Sequence, residues 1–595
     1  MLNSKIQFVN NKPLINVDGT LYPPLAYTTY FEECGQWQDF IDAGYKMFFV
    51  NVSFTDLPIN NISGFSPFRT GVFESETPDY NEFDGIVQKI VSLCPDALIL
   101  PRIHISMPRK WLDKNPYETV TTQGKNRESI YSDIFRRDGA EYLKTLVAHI
   151  RKQDYAHRIA GYQLCGGTTQ EWFHQDLYGS YSEMGIKKFR SWALEKYNIK
   201  DIKIPEREDF NSGVVSDEIT KYYEFSNEET TRTIEHFAKT LKECVNNTQI
   251  VGVFYGYNAF VRDPLWGTHG LSYITDSHYI DFFSSPCAYD DSRNLGLDWG
   301  DMLPVDSLKL HNKLCFIECD IRTHLTTRMQ NSRPGRYPDN ILKLIDDNGN
   351  KTVWSGPATL AISISALRKA FAHQLTKASG IWWFDMWGGW YHDPEIMSEL
   401  NKMREITESS KNKLITGCPT AEVVLFIDEK AYWNVPRNGR LSESVTQLRV
   451  AMGNTGIPFD IFMVEDAPRV LKNYKCAIFT APVPTKNSIT AMTLCDQMSI
   501  PYIAATEDKL FYETPELRNL LVSMGVHCYN NDNNVIYCDK GFLGIHTTKD
   551  GNVKITLPQK AKIRPLLNAE AEEAETDKIE FYATKHNTYL FEILG

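Results

Sequence analysis

At 595 residues the chain is longer than one hydrophobic core supports, and it points to about two to four domains. A net charge of −12 offers no basic stripe to displace counterions, which excludes a nucleic-acid partner. No apolar run reaches the roughly eighteen residues of a membrane helix, which excludes a membrane span.

The amino terminus, MLNSKIQFVNNKPLINVDG, has no continuous apolar core and no small-residue cleavage site, so a cytoplasmic location is expected. The 12 cysteines are scattered, without a CxxC pair or a His/Cys cluster at zinc spacing. They read as reduced core thiols, and neither a metal nor another cofactor is expected. Aromatic residues make up 12% of the chain, with 12 Trp and 30 Tyr. Most must belong to cores, and the half-exposed remainder would suit stacking on sugars.

In chain order, a short β piece at 6–22 carries Val17-Asp18-Gly19-Thr20, a hairpin signal. Eight apolar, β-prone runs follow, at 24–31, 47–54, 97–106, 159–167, 249–257, 280–289, 313–318 and 380–387. Helical periodicity fills much of the space between them, at 36–43, 83–93, 137–152, 182–197, 216–245 and 360–378. Eight such strands within about 400 residues predict a (β/α)8 TIM barrel with enlarged loops. A doubly wound open sheet would show a glycine-rich phosphate turn after its first strand, and none is present.

Near Thr416 the composition resets. Strands at 421–428, 459–462, 476–480 and 502–505 with helical spacers, one at 443–453, predict a small Rossmann- or flavodoxin-like α/β domain. Alternation from 534 to 594, with a turn at Lys549-Asp550-Gly551-Asn552, predicts a carboxyl-terminal β-sandwich. The expected boundaries are 1–412, 413–530 and 531–595. The acidic run from Glu570 to Glu575 reads as a solvated loop.

The fourth run breaks at Gly166-Gly167 and delivers Glu171 between Gln170 and Trp172. The seventh ends in Glu318. Either acid alone could be a buried partner of an arginine. Together, at the carboxyl ends of strands four and seven of one barrel, they face each other across its mouth. Two carboxyls about 5–5.5 Å apart suit double displacement at an anomeric carbon. Glu171, with an indole beside it to raise its pKa and offer a stacking face, is the expected acid/base. Glu318 is the expected nucleophile, kept ionised by Tyr289 and Arg102.

This order of parts resembles the clan A glycoside hydrolases, which place the acid/base after the fourth strand and the nucleophile after the seventh. Within the clan it resembles, as a distant relative, the family 42 β-galactosidases. The matching pieces are Asp281-Phe282-Phe283-Ser284-Ser285 with Tyr289, Phe225-Ser226-Asn227-Glu228, the Arg333-Pro334-Gly335 loop and the α/β domain. The resemblance spans roughly residues 20–530 as a pattern, and it implies a homotrimer built through the α/β domain. The family places Asn before its acid/base, where it binds the sugar 2-hydroxyl, and Gln170 stands there instead. The family's cysteine metal cluster is absent. A β-mannoside or β-glucoside is therefore an alternative to a β-galactoside.

Further candidates for substrate binding are Gln170, Trp172, Arg102, His104, Tyr289, Asp320, Asp385 and Trp387. Period-two alternation sends Trp383 and Trp387 to one face of the eighth strand and Trp382 to the other, and Trp387 is nearest the rim. Asp320 is the rival nucleophile, sharing a face with Glu318 and Arg322. His104 orders the mouth or is a satisfied core histidine. Phe31-Glu32-Glu33 supplies a rim acid or a helix start. The reading is a retaining exo-β-glycosidase. Its rivals are a catalytically inactive carbohydrate-binding barrel and a metal-dependent amidohydrolase. The latter needs a His-x-His after the first strand, where the chain has Tyr27-Thr28-Thr29-Tyr30.

Overall fold

The computed structural model describes residues 1–595 except 60–65, 67, 123–124, 173–181, 260–262, 327–355, 387, 414–420, 438–439, 507, 540, 569–572 and 595. Trp387 and the Arg333-Pro334-Gly335 loop lie outside the described residues, as does part of the acidic run.

Strands β1 (Ser4–Val9), β2 (Lys12–Val17) and β3 (Thr20–Tyr22) form an antiparallel sheet. Val17 pairs with Thr20 across Asp18 and Gly19, whose φ values of 47° and 90° are those a two-residue hairpin turn requires.

The barrel begins with β4 (Leu25–Thr28), β5 (Met47–Ser53) and β6 (Leu98–Ile105). A hairpin of β7 (Thr119–Thr122) and β8 (Lys125–Glu128), which the apolar pattern does not announce, precedes the fourth barrel strand. Then come β9 (Gly161–Gly166), β10 (Ile250–Val253), β11 (Phe282–Pro286), β12 (Leu314–Cys319) and β13 (Gly380–Phe384). Each of the eight pairs in parallel with its neighbour in chain order, and β13 pairs with β4 to close the barrel. The strands read as apolar runs because both of their faces are buried, one inside the barrel and one under helices. The helices start where the sequence supplies caps. The hydroxyls of Ser132, Ser216 and Thr359 accept amides in the first turns of α1 (Asp133–Ile150), α2 (Asp217–Cys244) and α3 (Leu360–Lys377).

Rings fill the barrel beneath its mouth. Phe49 lies 4.8 Å from Trp382 and 5.4 Å from Phe316 between ring centroids, and Phe282 lies 5.3 Å from Phe316. Gly252 makes room for this layer, since a Cβ there would overlap the Phe282 ring.

Beyond the barrel, β14 (Val423–Ile427), β15 (Phe459–Met463), β16 (Cys476–Phe479) and β17 (Tyr502–Ala504) make a parallel sheet in the order β15-β14-β16-β17. Its β15 edge is tied to the barrel. Asp306 and Ser307 accept the amides of Ile461 and Met463 at 2.8 and 2.6 Å. Lys377, at the end of α3, bridges Asp306 and Asp460 at 3.2 and 3.0 Å.

The last strands are β18 (Val535–Asp539), β19 (Phe542–His546), β20 (Gly551–Leu567), β21 (Ala574–Ala583) and β22 (Thr588–Leu594). They form one five-stranded antiparallel sheet in the order β18-β19-β22-β20-β21, and not the expected sandwich. The second layer comes from the barrel itself. Val535, Tyr537, Phe542 and Leu590 join the main core, against α3. The other face, with Leu543, Ile545, Ile555 and Phe591, closes a core of its own where a register shift breaks the ladder of β20. Among the described residues no helix is long and apolar enough to cross a membrane.

A Gly252→Ala substitution forces its new methyl group into the aromatic layer. Denaturant titration should show a loss of about 1–3 kcal/mol of stability.

Candidate active site

After Gly166 the chain makes a short excursion and returns. The Gly166 amide donates to the Gln170 carbonyl at 3.3 Å, and the Trp172 amide donates to the Gly166 carbonyl at 2.7 Å. Glu171 is thereby brought back beside the end of β9. The return requires left-handed backbone at Gly167, Thr169, Gln170 and Trp172, with φ of 65°, 57°, 76° and 61°. Three of these are not glycine, a strain that persists only where surrounding contacts enforce it.

The enforcing contact is Trp172. Its ring is fully buried, stacks on Phe237 of α2 at 6.1 Å, and donates its indole N–H to the Leu164 carbonyl at 3.3 Å. A side chain at Gly166 would collide with it, because an added Cβ lies 2.6 Å from the ring. Trp172 therefore anchors the loop from behind and offers no stacking face to a sugar.

Glu171 points into the barrel mouth, where the Tyr257 hydroxyl donates to its Oε1 at 2.9 Å. Burial pushes its pKa well above the ordinary carboxylate range and the nearby Glu318 adds to the rise, while Thr169 and Tyr257 favour the ionised form. The repulsion from Glu318 that adds to this rise means that the two expected carboxylates share one site.

Glu318 is 2% exposed and lies 3.5 Å from Nη1 of Arg102. Burial raises its pKa to about 7; Arg102 and the Trp382 indole lower it, and Asp320 raises it. Glu318 is thus not held in the ordinary carboxylate range, as the sequence reading expects, although Arg102 draws it back toward the ionised form. Arg102 is 1% exposed and sits among rings, with its guanidinium carbon 4.6 Å from the Phe254 centroid and 5.5–5.7 Å from those of Tyr30, Trp382 and Phe384.

The other expected residues divide. Gln170 is 1% exposed, and among the described residues neither atom of its amide has a hydrogen-bond partner. His104 is buried, stacks on Phe68 and lies 3.3 Å from the Ser53 hydroxyl; burial holds its pKa down to about 3, so it is a neutral ordering residue. Tyr289 does not donate to Glu318. Its hydroxyl goes to Asp320 at 3.1 Å.

Asp320 has no exposed surface and is clamped by Arg293 at 2.8 Å and Arg322 at 3.0 Å. Burial alone would raise its pKa, but the two guanidinium groups outweigh it and hold the carboxyl below its ordinary range. With its oxygens taken in this way, Asp320 is neither the rival nucleophile nor a sugar ligand. Asp385 is also spoken for. It accepts the Tyr27 hydroxyl at 3.0 Å and the amides of Gly389 and Trp390 at 2.9 Å each, which caps the turn after β13.

Two residues that the sequence reading left out belong to the site. Tyr257 closes the fifth barrel run and touches Glu171. Trp382, assigned to the face away from the sugar, is the indole under Glu318, whereas Trp383 points outward and donates to the Tyr45 hydroxyl at 2.8 Å.

No family model and no curated protein matches the chain. Solved structures do. A catalytic mutant of a family 42 β-galactosidase from G. stearothermophilus aligns over 99% of both chains at 10% identity, with a TM-score of 0.59. A cold-adapted β-galactosidase from Rahnella sp. R3 aligns over 96% of this chain and 98% of its own at 12% identity, with a TM-score of 0.60. A family 42 exo-carrageenase from Bacteroides ovatus aligns over all of this chain and 84% of its own at 11% identity, with a TM-score of 0.62. The fold is shared with these enzymes. The architecture expected from the resemblance over residues 20–530 is that of these structures, and their likeness extends over nearly the whole chain.

Glu32, weighed from sequence as a rim acid, lies just outside the site in a short turn, Glu32–Cys34, and is buried. Its Oε1 accepts both the amide and the Nδ2 of Asn51, at 2.7 and 2.8 Å. Burial outweighs these two donors and pushes its pKa up to about 8. The folded chain then holds a proton that the unfolded chain releases near 4.5. The stability this contributes is complete at acid pH and is lost by about 1.4 kcal/mol per pH unit as pH rises toward 8. A Glu32→Gln variant keeps an oxygen for both donors and removes the titration. Its melting temperature relative to the parent protein should therefore rise between pH 5 and pH 8.

Proposed function

We propose that this chain is a retaining glycoside hydrolase acting on a β-linked glycoside, with Glu171 as acid/base and Glu318 as nucleophile. The observation that carries the reading is the pair itself. Two buried glutamates come from the ends of the fourth and seventh barrel strands; Glu318 lies 3.5 Å from the Arg102 guanidinium, whereas Glu171 accepts the Tyr257 hydroxyl at 2.9 Å and is pushed toward its protonated form by burial and by the charge of Glu318. The protonated Glu171 donates to the glycosidic oxygen as Glu318 attacks the anomeric carbon. A covalent glycosyl-enzyme forms and the alcohol leaves. Glu171, now a carboxylate, takes a proton from water, which displaces Glu318 and restores both groups.

Gln170, next to the acid/base with a buried amide that has no partner among the described residues, supports a role in holding a sugar hydroxyl, at a cost to the protein unless ligand fills it. The likeness to β-galactosidases and an exo-carrageenase supports a galactose-configured substrate. The longer amide of Gln170 keeps β-mannosides and β-glucosides as the alternative, which a panel of nitrophenyl β-glycosides separates. The α/β domain supports extending the reading to a homotrimer.

Glu171→Gln should lower kcat/KM by about 10²–10⁴-fold on glycosides whose leaving group needs a proton. With azide, Glu318→Gly should yield the α-glycosyl azide and Glu171→Gly the β anomer; parental turnover in either variant defeats the assignment. The parental kcat/KM should fall as pH drops through about 7, where Glu318 takes up a proton, and should fall again at higher pH, where Glu171 loses its own.

A further inference from the structure

The loop after β10 carries Tyr257, the hydrogen-bond donor to Glu171, and it is held from outside the barrel. The next residue, Asn258, is 1% exposed and places its Nδ2 3.5 Å from Oε2 of Glu429, in the turn that follows β14. The same carboxylate accepts the amide of Leu271 at 3.1 Å and that of Ser272 at 2.9 Å, where the loop enters a short helix. Glu429 is itself 1% exposed.

A second residue of the same region, Arg437, grips the loop at Asp263 with bonds of 3.0 and 2.5 Å, and the Tyr432 ring stacks on His269 at 4.6 Å. The charged and titratable groups facing Glu429 are Lys430 on its own turn, Glu465 from the α/β domain, and Tyr255 and Tyr273 from the barrel loop.

A buried carboxylate that spends both oxygens on one loop is a costly way to fasten a surface connection. Its contacts start at the residue next to Tyr257. We propose, on the glycosidase reading above, that Glu429 is a positioning residue for the acid/base. It fixes the loop so that the Tyr257 hydroxyl reaches Glu171, and it makes proton donation in the barrel depend on the α/β domain.

The test is Glu429→Gln in the full chain, beside Tyr257→Phe and the double variant. With an alkyl β-glycoside, whose leaving group needs a proton, kcat/KM should fall about tenfold; with a dinitrophenyl β-glycoside it should fall by a much smaller factor. The alkaline limb of the pH profile should move up, because Tyr257 no longer stabilises the Glu171 anion. The double variant should lose no more than Tyr257→Phe does alone. Equal losses on both substrates, an unmoved alkaline limb or additive effects overturn the proposal. Asn258→Ala should give the same pattern in smaller measure, and it serves where Glu429→Gln does not fold. If the parent protein hydrolyses no glycoside, the functional reading fails. Glu429 is then judged by carboxyl ¹³C titration of Glu171, assigned through Glu171→Gln; a Glu171 pKa unchanged in Glu429→Gln rejects the coupling.

Discussion

Arg102 is a guanidinium held away from water over a floor of rings, and the chemistry of the barrel mouth is arranged around that charge. Taking a cation out of water costs several kcal/mol unless nearby groups compensate. The ring faces compensate in part and Glu318 supplies the opposite charge. The dependence runs both ways. Without Arg102, Glu318 would lose the strongest influence that favours its ionised form, and burial would push the carboxyl higher still.

The same logic separates the three acids of the throat. Asp320 has two guanidinium partners and stays ionised. Glu318 shares one and sits near neutrality. Glu171 has hydroxyl donors and feels Arg102 less than it feels the second carboxylate nearby, and burial holds its pKa well above the ordinary carboxylate range. One chemical group in three settings thus runs from a carboxyl held below its ordinary range to ones held above it, according to how closely guanidinium groups approach.

The barrel was legible because a parallel strand covered on both faces must be apolar along its length, as in Met47–Ser53 and Leu98–Ile105. The two glutamates were legible because they interrupt or end such runs. Alternation shows that Trp382 and Trp383 oppose each other, but it cannot say which faces inward, and the inward one proved to be Trp382. Asp320 and Asp385 look like free acids in the sequence. Alternation puts Arg322 on the face of Asp320, but Arg293 and the amides of Gly389 and Trp390 are brought in by turns that no periodicity encodes. Trp172 misleads for a related reason, since left-handed backbone on either side of Glu171 turns neighbours in the chain toward opposite sides of the strand. The carboxyl-terminal alternation reveals strands but not what covers them, and a barrel helix took the place expected of a second sheet.

The ties from the later domains fall on the rim of the barrel mouth. Arg449 binds Asp290 and the Asp301 carbonyl after β11, while Tyr537 and His546 receive the amides of Trp299 and Gly296. The barrel is therefore not a self-sufficient module with appendages. Cut at about residue 412, it would keep every acid of the throat and lose the clamps on two of its rim loops. The appended part is not freely exchangeable, because whatever replaces it must also rebuild the walls of the barrel mouth.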